Sequence, residues 1–216
     1  MTKKHKADKI TELLYNEYPV SNCSLTAADP VQLIIATRLF AQCTDVRVNM
    51  VTPTLFEKFP DADSMANAPI EKIENCIRSC GLYKTKARDI KEMCKIISEE
   101  YDGILPEDID KLTKLPGVGR KTANLIMGEV FGQPAVVADT HCIRLSNRLG
   151  LCDTKDPLKV ERQLREVLQP DKSLGFCHRL VQHGREVCSA KRPDCAACCL
   201  KELCPSFEEK NLTVRI

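Results

Sequence analysis

The sequence predicts an all-α protein. Apolar residues recur at helical spacing along almost the whole chain, and caps with Pro or Gly stops punctuate the helices they mark. No sustained period-2 alternation bounded by hairpin turns is present, and Ala135-Val136-Val137-Ala138 is too short to change that. At 216 residues the chain has room for one domain or two small ones, with a core that needs no disulfide staples. Trp is absent and aromatics are 5% of residues, so the core must rest on Leu, Ile, Val and Met.

Taken in order, Ile10, Leu13, Leu14 and Tyr18 mark one face of a first helix that Pro19 ends. Asp29-Pro30 reads as an N-cap with Pro at the first helical position, opening Val31 to Phe40. A third helix runs from about Asp45 to Phe59, with Pro53 kinking it or restricting its start. A loop rich in Asp, Ala and Pro follows. Pro69 then opens a helix that Gly81 closes, and Lys84 to Tyr101 is the longest periodic run. Pro106 to Leu115 is a short helix, and Arg120 to Phe131 ends at Gly132. Further helices run from near Asp139 to Gly150, over Pro157–Leu168 and over Leu174–Gly184. From Cys188 onward the chain is a cysteine loop with little periodicity. No polar linker is present, so any two lobes pack closely.

Lys and Arg total 32 against 30 Asp and Glu, a net charge of +2. This is no histone-like or polybasic composition, so any nucleic-acid binding has to come from local patches. Cysteine is the outlier, with 13 residues, and an odd count argues against complete disulfide pairing within one chain. No segment approaches the roughly 20 apolar residues that cross a bilayer. The basic start, Met1 to Lys6, leads into an amphipathic helix rather than the apolar run of a secretory signal. These features predict a cytoplasmic protein with reduced thiols, in which clustered cysteines suggest a metal before disulfides.

The cluster is Cys188, Cys195, Cys198 and Cys204, spaced C-x6-C-x2-C-x5-C. A Cys-x2-Cys pair wraps one metal centre and the flanking arms bring in two more thiolates. From spacing alone, structural zinc and an iron–sulfur cluster both fit. Either site is closed by four protein ligands, so the metal folds the loop and does not perform chemistry. The folded loop would present Lys191 and Arg192 as two fixed cations suited to a phosphate backbone. Cys76, Cys80 and Cys94 read as small core residues, and the side chain of Cys199 should point away from its ligand neighbour.

Leu115-Pro116-Gly117-Val118-Gly119-Arg120-Lys121-Thr122 joins two helices by a tight turn. Gly117 and Gly119 allow positive φ or close approach, and the turn ends at a helix N-terminus that attracts an anion. A phosphate bound there is held without reading bases. A nucleotide P-loop is a poor match, because Arg120 intervenes between Gly119 and Lys121 and no strand precedes. An ordinary ligand-free turn is the bland alternative. Against it, Arg120 and Lys121 put two cations at the wrong end of the helix dipole, at about 0.3–1 kcal/mol each. The same dipole, with any partial burial, disfavours the protonated form of Lys121 and makes a better nucleophile of it. A solvated surface lysine remains the competing reading. Asp139-Thr140-His141 opens the next helix, where Asp139 is an ordinary N-cap, a carboxylate serving Lys121, or both.

Leu115 to Asn124 (LPGVGRKTAN) resembles the helix–hairpin–helix of the endonuclease III family of DNA glycosylases. Ala138 to His141 resembles that family's loop ending in a catalytic Asp, and the cysteine tail its [4Fe-4S] loop. Gln42 to Asp45, Gly81 to Tyr83 and His183 to Arg185 resemble further family segments. The resemblance covers nearly the whole chain. It implies two all-α lobes flanking a DNA cleft: a six-helix lobe at 22–133 with the hairpin at about 108–127, and a cluster lobe made of 1–21 plus 134–216.

The resemblance also implies the chemistry, that of a bifunctional base excision repair enzyme on duplex DNA carrying damaged bases or abasic sites. Lys121 would be the nucleophile at C1′ and Asp139 its carboxylate partner. Cys188, Cys195, Cys198 and Cys204 would hold a [4Fe-4S] cluster. Gln42 and Leu82 would fill the space left by a flipped base. Gly117, Val118, Gly119, Arg120, His141, Lys191 and Arg192 would complete the DNA contacts of a monomer associated with the nucleoid. Oxidised pyrimidine is the default substrate, removed with strand cleavage by β-elimination. The family commonly reads Ser-Ala-Gln where this chain has Phe40-Ala41-Gln42, and Arg38 is unusual in an apolar helix, so base preference is open. The alternative is a non-catalytic DNA-binding module with a structural metal loop.

Overall fold

The structure, a computed structural model, describes residues 1–207. Positions 208–216 of the expected cluster lobe lie outside the described residues. Among the described residues there is no strand, as the absence of alternation predicts. The chain separates into two compact units: Cys23–Gly132, and Met1–Asn22 together with the chain from Gln133 on.

The Cys23–Gly132 unit holds α2 (Pro30–Phe40), α3 (Asp45–Lys58), α4 (Ala62–Asn67), α5 (Ile70–Ile77), α6 (Tyr83–Tyr101), α7 (Ile109–Leu112) and α8 (Arg120–Glu129). Asp29 caps α2 by accepting from Gln32 N at 2.9 Å, with Pro30 at the first position, as the sequence signalled. Pro53 lies inside α3 without ending it. The expected loop after Phe59 is helical: Asp61 and Ser64 form a reciprocal capping box that opens α4, so this unit has seven helical segments rather than six. The expected Pro106–Leu115 helix shrinks to α7, because Asp108 accepts from Asp110 N and Lys111 N and fixes the start there. The core is aliphatic, with Ile34, Ile35, Leu39, Leu55, Ile90 and Ile97 essentially inaccessible.

The other unit is built from α1 (Lys3–Glu17), α9 (Thr140–Arg148), α10 (Pro157–Val167) and α11 (Ser173–Glu186), followed by the cysteine loop. Ile10 and Leu14 of α1 pack with Leu145, Val160, Leu164, Phe176 and Leu180. The N-terminal segment therefore belongs to the same core as the C-terminal one. No helix among the described residues is long and apolar enough to cross a membrane.

Candidate functional site

In the Cys23–Gly132 unit the site begins at the hairpin. Val118 N–H closes the turn onto Leu115 O at 3.1 Å, and the Val118 side chain is buried. Val118 thus fixes the shape of the turn that the hairpin presents. Gly117 has φ +75°, and a Cβ there would overlap the Cδ and Nε of Arg38. Arg38 is ion-paired with Asp89 of α6, its Nε donating at 2.8 Å, so this odd residue of α2 underpins the hairpin. Gly119 differs: its φ is −90° and a Cβ there would meet nothing within 4 Å. No side chain caps α8. An uncapped helix start beside an open glycine face is a place for an outside acceptor. Arg120 and Lys121 are exposed in its first turn.

Two neighbouring loops carry backbone conformations that few non-glycine residues adopt. Gln42 has φ +53° and Leu82 φ +56°, and both are exposed, Leu82 by 58%. A Cβ on Gly81 would lie 3.6 Å from Gln42 O, which places the two loops side by side. Left-handed backbone costs about 1–2 kcal/mol per residue, and such strain concentrates where it serves a purpose. Under them lies Lys86, fully buried, its Nζ donating to Leu39 O at 2.8 Å. It meets the negative end of α2, and burial pushes its ammonium below the usual lysine range. The sequence pattern missed this residue. A helical-face count marks the position, but a lysine there reads as solvated. Phe40 packs half-buried against this unit's core.

In the other unit, Asp139 is the N-cap of α9, accepting from Cys142 N at 2.7 Å. His141 is half-buried near Arg144, and burial pushes its imidazole below the usual histidine range. Gly184 is explained by this pair: a Cβ there would sit 2.6 Å from His141 Nδ1 and 3.0 Å from Arg144 Nη2. Lys121 and Asp139 thus belong to different units.

The cysteine loop is anchored by two arginines that sequence reasoning missed. Arg144 donates to Gly184 O at 3.1 Å and to Cys188 O at 2.9 Å. Arg148 donates to Cys188 Sγ at 3.1 Å and to the carbonyls of Ser189 and Ala190. Their i, i+4 spacing on the helix that Asp139 opens was the available signal. Cys188, Cys195, Cys198 and Cys204 line one cavity of about 40 Å³, and Cys199 does not. No three His, Cys, Asp or Glu side chains among the described residues converge on a single-ion position. Four thiolate donors around one cavity are a set that either zinc or an iron–sulfur cluster can use. Burial pushes Cys198 up to about 11 and raises Cys204. His183 is fully buried beside Cys198, and burial pushes its imidazole below the usual histidine range. Lys191 and Arg192 are exposed. Cys80 and Cys94 are core residues as expected, while Cys76 is half-buried.

A helical hairpin preceding an uncapped, doubly basic helix start, with a helix-capping Asp and a thiol cavity in the companion unit, points to a class of DNA-directed protein. Residues 35–170 match the model of the HhH-GPD superfamily of base excision DNA repair proteins, and the chain belongs to that superfamily. More narrowly, it belongs to the endonuclease III family. It is 46% identical over 209 residues to endonuclease III of Synechocystis sp., spanning 96% of this chain and 95% of the relative. It is 44% identical to that of Bacillus subtilis, spanning 94% and 92%. The solved structure of a trapped endonuclease III–DNA covalent intermediate, an estranged-adenine complex, superposes with a TM-score of 0.91 at 40% identity, covering 98% of this chain and all of the other. The chain is an enzyme of DNA glycosylase and abasic-site lyase type, and a non-catalytic DNA-binding module is not favoured.

Proposed function

We propose that the chain removes oxidised pyrimidines from duplex DNA and cuts the resulting abasic strand through a Schiff base on Lys121. The observation that carries this is Lys121 itself, exposed in the first turn of the uncapped α8 beside the open face of Gly119. A phosphate on that helix start fixes the strand without reading it. Gln42 and Leu82, exposed on adjoining left-handed loops, enter the space vacated by the flipped base. Deprotonated Lys121 attacks C1′ as the C1′–base bond breaks and the base leaves with its electron pair. The carboxylate of Asp139 supports the developing positive charge and relays protons to and from Lys121. Loss of the sugar-ring C1′–O bond gives the Schiff base. Removal of a C2′ proton then expels the 3′ phosphate and cleaves the strand.

Cys188, Cys195, Cys198 and Cys204 would hold a [4Fe-4S] cluster, and the cavity they share supports that reading. When bound, the cluster supplies a rigid electron-accepting centre that folds the loop. The loop in turn carries Lys191 and Arg192 toward the DNA backbone. All thirteen cysteines are free, as suits a reducing cytoplasm, and we take the protein to act there as a monomer.

The test is a panel of single-lesion duplexes, including thymine glycol and a plain abasic site, scored separately for base release and strand cleavage. The expected result is release of thymine glycol with cleavage at both lesions. Cleavage at the abasic site without release of any oxidised pyrimidine would confine the chain to lyase chemistry and assign Phe40 a pocket-reshaping role. No cleavage on any duplex would overturn the catalytic reading.

A further inference from the structure

A hydrogen-bond chain joins the first helix to the cysteine loop. The Tyr18 hydroxyl lies 2.9 Å from His183 Nδ1, and His183 Nε2 lies 3.3 Å from Cys198 Sγ. Tyr18 is 6% and His183 1% exposed, so neither exchanges partners with water. The two rings meet edge to face at 5.9 Å. The backbone is fixed as firmly. Arg179 Nε donates to Tyr18 O at 2.9 Å, Arg179 Nη2 donates to Pro19 O at 3.0 Å, and its guanidinium lies 3.5 Å over the ring of Tyr15. His183 O accepts from both Val187 N and Cys188 N, so the same residue anchors the start of the loop. All these residues lie in one compact unit.

The donor inventory orders the chain. A cysteine that ligates iron has lost its proton and only accepts. His183 Nε2 must then carry the hydrogen and donate it to sulfur. A neutral imidazole with its proton on Nε2 accepts at Nδ1, and the group there is the Tyr18 hydroxyl, which must donate. A free thiol at Cys198 permits the reverse order, with S–H donating to Nε2 and Nδ1–H donating to the Tyr18 oxygen. Cluster binding therefore selects one of two tautomers, and Tyr18 is the group that stabilises it. Hydrogen bonds to cluster sulfurs withdraw negative charge and favour the reduced state.

We infer that Tyr18 and His183 form a relay in which Tyr18, as a positioning residue, locks the His183 tautomer that donates to Cys198, and so raises the reduction potential of the cluster. This rests on the [4Fe-4S] reading of the four cysteines given above.

The experiment uses the full-length holoprotein, analysed for iron and acid-labile sulfide, with the cluster midpoint potential measured by protein-film voltammetry. Four proteins are compared: wild type, Tyr18→Phe, His183→Gln and the double variant. Tyr18→Phe keeps the ring and its packing and removes only the hydroxyl. A glutamine amide donates without a tautomer to lock. The expected result is an iron-replete Tyr18→Phe protein with a lower potential than wild type, and no further drop when the same change is made in the His183→Gln background. Loss of iron to a chelator should be about tenfold faster in His183→Gln. An iron-replete Tyr18→Phe protein with the wild-type potential overturns the inference, as does an equal drop in both backgrounds. Should His183→Gln fail to assemble a cluster, Tyr18→Phe against wild type decides alone. A wild-type protein without acid-labile sulfide fails the cluster reading itself, and the inference falls with it.

Discussion

The two glycines of the hairpin look alike in sequence and do different work. Gly117 is demanded by the protein: positive φ and the Arg38–Asp89 pair leave no room for a Cβ. Gly119 has ordinary backbone and open space, so its missing Cβ benefits whatever approaches from outside. Gly117→Ala should destabilise the protein by about 2–4 kcal/mol, combining left-handed strain with overpacking. Gly119→Ala should change stability by less than about 0.5 kcal/mol while weakening binding to abasic duplex. Thermal unfolding and a binding titration on the same two variants separate these effects. If both lose stability equally, the open face of Gly119 is not a ligand face. Asp139 admits a similar separation. Asn caps a helix about as well as Asp, so Asp139→Asn should keep the melting temperature and lose lyase turnover. Asp139→Ala should lose both, with about 1 kcal/mol of stability gone. An active Asp139→Asn protein would reduce Asp139 to the N-cap it visibly is.

At the scale of elements, the long helices were legible because each has an apolar stripe and a marked end. Asp29-Pro30 and the 83–101 run are the clearest cases. The failures were short elements held by polar side chains. Helix α4 escaped because a segment rich in Asp and Ala reads as loop until the Asp61–Ser64 reciprocity is noticed. Asp61→Ala should cost about 1 kcal/mol, seen as a lower denaturant midpoint with unchanged lyase activity, since α4 holds none of the site residues. A loss of activity matching the loss of stability would tie α4 to the site. Much of the candidate site was also legible, since hairpin, capped Asp and cysteine spacing are local patterns. Its supports were not. Arg38 with Asp89, Lys86 under the Gln42 loop, and Arg148 on Cys188 are contacts between elements 40 to 51 positions apart. Periodicity does not encode such pairings. The left-handed φ of Gln42 and Leu82 was equally hidden, because neither residue type announces it.

For the whole molecule, the net charge of +2 understates how the protein meets DNA. With the proposed cluster bound, four thiolates around a core of about +2 would contribute roughly −2, leaving the holoprotein near neutral. On the function proposed above, binding would then depend on the placed cations Arg120, Lys191 and Arg192, with Lys121 reserved for attack on C1′. If these three neutralise phosphates, the slope of log affinity against log salt should be about −2.7. Replacing Lys191 and Arg192 with Ala should reduce its magnitude by about 1.8. An unchanged slope would mean that the cysteine loop does not touch the backbone.

The central claim is that Lys121 attacks C1′, and borohydride trapping reads it directly. Incubation with thymine-glycol or abasic duplex and borohydride should give a covalent protein–DNA complex, with peptide mapping placing the adduct on Lys121 and Lys121→Ala giving none. A Lys121→Ala protein that traps as well as wild type, or an adduct mapped to another amine, would contradict the account.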